Sequence, residues 1–369
     1  MKKLFKKVVG TTLALTLVLS LAACGTKDQK GSDSGSGANT VDLALITDVG
    51  TIDDKSFNQG AWEGVEAYAK DNNITHKYYK PTEKSDAAYL NSIDLAVKAG
   101  AKVIVCPGYL FEVPIFEAQT KYPNVNFVIL DGAPHAGDYN NVIADNTSAI
   151  FYAEHEAGFL AGYGIVKEGY TKLGFMGGIA VPAVIRFGYG FIQGANYAAQ
   201  ELGLAEDAIE VKYTYVGNFD ATPDNQAKAA AWYNEGTEVI FACGGAVGNS
   251  VMKAAEAAGK KVIGVDVDQS NESETVITSS MKNLSKSVYD VLDRFYKNDF
   301  PGGEKVVLDA TTEGVQLPME TSRFTKFTQA DYDAIYAKVV AKEVAIVDDT
   351  AAADASGLEV EKVVVQVIK

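Results

Sequence analysis

Histidine, cysteine and positive charge are all scarce in this sequence. Its three histidines, His76, His135 and His155, stand in no His-Glu-x-x-His or other metal-ligand spacing. No Gly-x-Ser-x-Gly nucleophile elbow and no Gly-x-x-x-x-Gly-Lys-Ser/Thr phosphate loop occurs either. These absences argue against an enzyme and against a resident metal or cofactor. Of three cysteines, Cys106 and Cys243 each end an apolar β-type run and read as buried thiols rather than a disulfide pair. Acidic residues outnumber basic ones 48 to 33, for a net charge of −15. That sign disfavours nucleic-acid backbones and anionic lipid surfaces as partners.

What is present begins with an address. Lys2, Lys3, Lys6 and Lys7 precede an apolar run over residues 8–21, and Leu21, Ala22, Ala23 and Cys24 follow at once. The run is too short for a membrane span and ends in small residues, the order of a secretory signal peptide. A cysteine at the cleavage point makes it a bacterial lipobox, so residues 1–23 are expected to be removed and Cys24 to carry lipid. Two acyl chains anchor stably where one is marginal. Loss of the four lysines takes the net charge from −15 to −19. Residues 24–40 are mostly Gly, Ser, Asp, Lys and Asn, a composition that cannot bury a core and serves as a flexible tether.

From Val41 onward, short apolar runs alternate with longer helical patterns, the signature of an α/β chain with parallel sheets. The pattern predicts strands at 42–47, 102–106, 126–130, 172–176, 210–214, 238–242 and 261–265. It predicts helices at 56–72, 86–98, 111–121, 185–202, 225–235 and 247–258. Residues 102–108 match 238–244 in outline, and 126–131 match 261–266, so two similar βα blocks point to two similar lobes. Ligands of open α/β sheets bind beyond the carboxyl ends of the strands. The loops there hold Asp48 to Asn58, Pro107 to Tyr109, Asp131, residues 177–187, 244–249 and 266–269, rich in Gly, Asp, Asn and aromatics. Phe57 and Asn58 stand out: a ring can stack on a flat ligand, and an amide can both donate to and accept from a heteroaromatic edge.

The stretch Thr47-Asp48 with Asp53-Asp54-Lys55-Ser56-Phe57-Asn58-Gln59-Gly60 resembles the basic membrane protein family of lipoproteins, which includes purine-nucleoside receptors of ABC transporters. Further matches are residues 127–131, 156–162, 174–178, Arg186-Phe187, Gly190-Phe191, 264–269 and 279–282, so the resemblance covers roughly 41–315. It implies a type I periplasmic-binding-protein fold, two doubly wound parallel-sheet lobes joined by three crossing segments. The crossings are expected near 144–149, 275–280 and 309–315, giving one lobe of 41–147 plus 279–308 and another of 148–278 plus 309–369. Residues 283–298 would be a helix returned to the first lobe.

Carried over position by position, the resemblance implies that Phe57 and Phe187 sandwich a purine from opposite lobes. Asp48, Asn58 and Asp131 would face its polar edges. Asp266 would take the ribose hydroxyls with Lys282 beside it, and Gly244 and Gly245 would let the backbone approach the sugar. The cargo would be adenosine, guanosine or inosine, bound by a monomer and delivered to a membrane permease. A receptor of the same fold for a sugar or signalling molecule, and a surface lipoprotein for sensing or adhesion, are the alternatives.

Overall fold

The computed structural model describes residues 40–369. The signal peptide, Cys24 and nearly all of the tether lie outside the described residues. In chain order the elements are β1 (Leu43–Ile46), α1 (Phe57–Asn72), β2 (His76–Tyr79), α2 (Asp86–Lys98), β3 (Val103–Pro107), α3 (Glu112–Lys121), β4 (Asn126–Leu130) and β5 (Thr147–Tyr152). Then come α4 (Glu154–Glu168), β6 (Lys172–Gly177), α5 (Pro182–Glu201), β7 (Ile209–Tyr215), α6 (Pro223–Asn234), β8 (Val239–Cys243), α7 (Val247–Ala258) and β9 (Lys261–Asp266). The chain closes with β10 (Val276–Lys282), α8 (Leu284–Tyr296), β11 (Glu304–Leu308), β12 (Val315–Gln316), α9 (Gln329–Val340) and β13 (Val363–Val367).

Two sheets result, ordered β11-β5-β4-β3-β1-β2 and β12-β10-β9-β8-β6-β7-β13. Read from β2 and from β7, the first five strands of each follow the same doubly wound order, so the two blocks seen in the sequence are two copies of one topology. Pairing is parallel throughout except between β10 and β12. Strands such as β3 and β8 are buried along their whole length because helices cover both faces, which is why they read as unbroken apolar runs.

The crossings fall later than the sequence implied. β5 is paired to β4 in the first sheet, so the chain leaves that lobe after Tyr152 and not at 147/148. β10 belongs wholly to the second sheet, so the return comes at Lys282 and Leu284, not at 275–280. The third crossing does lie between β11 and β12. The first lobe is therefore β1 to β5 plus α8 and β11, and the second is α4 to β10 plus everything from β12 onward.

The second lobe is built around a backbone-to-backbone pair, α4 against α5. A Cβ at Gly158 or Gly162 of α4 would meet the backbone of Phe187 or Phe191, and one at Gly190 or Gly194 of α5 would meet that of His155 or Phe159. Four small residues at helical spacing let the axes approach until only hydrogen separates them. That contact sets Glu154, at the start of α4, beside Arg186, near the start of α5. The chain beyond β12 adds α9 and then β13, which extends the second sheet beside β7.

Candidate functional site

The carboxyl ends of β1, β3 and β4 face those of β6, β8 and β9 across a cleft of about 170 Å³, at the strand ends where ligands of open α/β sheets bind. Asp48, Phe57, Asn58, Asp131, Phe187, Gly244, Gly245, Asp266 and Lys282 all line it. So do Asp54 and Val181 to Val184, within the expected loops, and Lys80, Phe219 and Asp220, outside them. Phe219 follows β7, the one strand end of that block whose loop had not been singled out.

Asp131 and Asp266 hold equivalent places, one residue past β4 and at the end of β9. Both have left-handed backbones, φ 58° and 68°, a conformation that Asp tolerates better than most side chains but at a cost. Strained residues at equivalent strand ends, both aimed at one cavity, mark a site where geometry outweighs local stability.

Lys282, the last residue of β10, lies at the centre. Its ammonium pairs with Asp131, stands 3.0 Å from Glu154 Oε1 and lies 4.0 Å from Asp266 Oδ1. Arg186 Nε donates to Glu154 Oε2 at 2.5 Å, and its Nη1 reaches Asp349 of the tail at 3.2 Å. Three carboxylates thus surround Lys282, and Arg186 braces one of them. Burial alone would discharge Lys282, but Asp131, Glu154 and Asp266 hold its pKa above the ordinary range. Burial opposes ionisation of Glu154 too, yet Lys282 and Arg186 outweigh it and hold that carboxyl well below the usual range. Asp131 goes the other way: burial raises it against the pull of Lys282, and Glu154 raises it further. Burial likewise raises Asp266.

The same ammonium lies over three rings, 4.9 Å from the centroid of Phe57, 5.3 Å from Phe187 and 5.3 Å from Tyr152. Phe57 opens α1 of the first lobe and Phe187 belongs to α5 of the second, so rings from both lobes present their faces to one point. Phe187 is braced edge-on by Phe241 at 5.9 Å.

At the other end, Asp54 caps α1, accepting from the backbone N–H groups of Ser56, Asn58 and Gln59 at 2.8–3.1 Å. Asn58 is held between Asp48 and Asp54. Burial pushes Asp48 up to about 6 against the hydrogen bonds from Gly50 and Asn58. Gly244 has a packing reason of its own, since a Cβ there would strike the Gly178 backbone, and Gly245 has φ 56°. Neither needs a sugar to explain it.

The lobes also touch directly. Ser56 Oγ donates to Asp266 Oδ2 at 2.5 Å, and Gln269 Nε2 donates to the Lys55 carbonyl at 2.6 Å. Among the described residues no group of His, Cys, Asp and Glu is arranged to hold a metal, and no helix is long and apolar enough to cross a membrane.

The profile of the family described as "ABC transporter substrate-binding protein PnrA-like" matches residues 41–350. The chain belongs to this family. The PnrA-like family is one of substrate-binding proteins, not of enzymes. The chain is similar to the ABC transporter nucleoside-binding protein BmpA of Lactococcus lactis subsp. cremoris, 31% identical over 86% of this chain and 92% of that one. Basic membrane protein A of Borreliella afzelii is 29% identical over 82% of this chain and 90% of its own length. Among solved structures, an ABC transporter solute-binding protein from Aeropyrum pernix K1 superposes with a TM-score of 0.71 at 22% identity, covering 84% of this chain and 93% of that one. Another from Conexibacter woesei DSM 14684 gives 0.66 at 21% identity, covering 84% and 99%. The PnrA-like chain accordingly has the type I periplasmic-binding fold and works as an ABC transporter substrate-binding protein.

Proposed function

We propose that this protein captures a purine nucleoside between its lobes and delivers it to the permease of an ABC transporter from a lipid anchor on Cys24. The observation that carries the ligand is that Phe57 and Phe187, from opposite lobes, both line the cavity, 4.9 and 5.3 Å from the Lys282 ammonium. A planar base that reached both rings beside that ammonium would gain stacking on each. Asp266 Oδ1, the oxygen not engaged by Ser56, would accept from ribose hydroxyls, and Lys282 would stand beside the sugar. Asp48 and Asp131 would meet the base edge. Five carboxylates, Asp48, Asp54, Asp131, Asp220 and Asp266, line the cavity against two lysines, Lys80 and Lys282, which disfavours a phosphate, so nucleosides would enter and nucleotides would not. The nucleoside-binding relative in Lactococcus lactis supports the same class of cargo.

Native mass spectrometry of the purified chain tests this first, since a tightly held cargo survives purification. Each base–ring stack is worth roughly 1–3 kcal/mol, so Phe57→Ala should weaken nucleoside binding by about tenfold to a hundredfold. Ring removal without effect on a nucleoside that binds the wild type would refute the sandwich. For the anchor, Cys24→Ala should release the protein from membranes. Membrane-bound protein in that variant, equal to wild type, would refute the lipid attachment.

A further inference from the structure

The first-lobe end of the cavity is short of donors for its own carboxylates. Asn58 seemed suited to read a heteroaromatic edge, but its amide is already committed. Its nitrogen donates to Asp48 Oδ1 and to Asp54 Oδ2, both at 2.9 Å, and its oxygen accepts the Asp48 backbone N–H at 3.2 Å. An amide has two N–H groups, and both are used. Asp48 Oδ1 also accepts from the Gly50 N–H at 2.7 Å.

Two oxygens remain. Asp48 Oδ2 receives no hydrogen bond among the described residues, and it lies beside Gly108, where the missing side chain leaves room. Asp131 Oδ1 is buried with no partner, its other oxygen being taken by Lys282. Both residues line the cavity, one after β1 and one after β4, with Gly108 after β3 between them. The nearby Gly108 N–H is spent on the Leu130 carbonyl at 2.8 Å. Asp131 Oδ1 is buried without a donor, which is costly, while Asp48 is half-buried and turns its free oxygen to the cavity; a ligand that brings donors to both recovers the cost at Asp131 on binding.

We propose that this end reads the base through N–H donors, so that 6-oxopurine nucleosides, and guanosine above all, bind in preference to adenosine. The inference rests on the nucleoside reading above. Guanine carries N1–H and a 2-amino N–H side by side, both donors. Hypoxanthine keeps N1–H alone. Adenine offers its 6-amino N–H but sets the N1 lone pair beside it, so one of the two carboxylate oxygens would face an acceptor. Asn58 is then a positioning residue: it aims Asp48 and favours its charged form. Other charged or titratable groups facing Asp48 are Asp54 on its own loop, Lys84 before α2, Tyr89 of α2 and Tyr109 after β3.

Calorimetry on the whole mature chain with guanosine, inosine, adenosine and 1-methylguanosine tests this. Hydrogen bonds to a charged acceptor discriminate by roughly tenfold to a hundredfold. Guanosine should bind tightest, with adenosine and 1-methylguanosine at least about tenfold weaker. Asp48→Asn, close to isosteric, should pull the guanosine-to-adenosine ratio towards one. Asn58→Ala should move the acid limb of guanosine binding to higher pH, which a purely structural role would not do. The 1-methylguanosine arm needs no variant and stands even if a substitution fails to fold. Adenosine bound as tightly as guanosine, or 1-methylguanosine bound as tightly, overturns the preference and leaves the nucleoside reading intact. Failure of every nucleoside to bind removes both.

Discussion

The cavity has two polar ends that solve the same problem differently. Around Lys282, carboxylates are buried with cations: Asp131 and Glu154 pair with the ammonium, and Arg186 braces Glu154. Around Asn58, Asp48 and Asp54 are buried with neutral donors only, an amide and backbone N–H groups. The ion-paired end is held in place by residues from four segments far apart in the chain. The amide end comes from a single loop and the first turn of α1. At the first, Lys282 and Glu154 are held charged, while burial raises Asp131 beside them. At the second, burial pushes Asp48 up to about 6 with no cation in contact. The difference separates scaffold from reader: Lys282 and Glu154 fix the cleft, and Asp48 and Asp131 are left to respond to what enters it.

The largest effect is expected from Lys282→Met. Removing the cation leaves Asp131, Glu154 and Asp266 buried together, and breaking such a pair costs about 3–5 kcal/mol. Denaturant unfolding should show that loss at neutral pH and a smaller one in acid, where the carboxyls take up protons. A loss independent of pH would mean that charge is not the cause.

Next is Asp48→Asn, which should act in the opposite direction. The folded carboxyl titrates at about 6 against an ordinary 3.8. Between those values the folded state holds a proton that the unfolded state releases, so stability falls as pH rises through the window. The asparagine variant should be more stable than wild type above about pH 6, by about 1–2 kcal/mol after discounting for contact with solvent, and no more stable near pH 4. Equal stability at pH 7.5 would show that Asp48 carries no burial penalty. Arg186→Gln should fall between the two ends. It leaves Lys282 on Glu154 but removes the brace, for a loss of about 1–3 kcal/mol and a weaker nucleoside complex. Smallest is Ser56→Ala, which removes one bond across the lobes to Asp266. About 0.5–1.5 kcal/mol is expected, read as a wider particle in scattering without ligand.

Much of this was legible in the chain. The strands read correctly where both faces are buried, and the rule that ligands sit at strand ends gathered Asp48, Asp131, Gly244 and Asp266 at one cavity. Two strands were mistaken for crossings because their sequences are polar. β5 begins Thr147-Ser148, and β10 carries Thr278, Ser279 and Ser280, all almost fully buried. Only the sheet shows that such residues are core. Glu154 carries no signal in the chain because its partners, Lys282 and Arg186, are remote in sequence. Asn58 was found for a sound reason, but the sequence pattern does not say that Asp48 and Asp54 take both of its N–H groups. Phe219 follows β7 in a loop that the strand-end rule itself points to.

The most direct test is to titrate the wild-type chain with guanosine and with ribose, side by side, at neutral pH. Guanosine should bind in a one-to-one complex while ribose shows no measurable heat, because a bare sugar engages Asp266 alone and brings nothing to the rings, Asp48 or Asp131. Ribose bound tightly, with no binding of guanosine, inosine or adenosine, would contradict the purine reading.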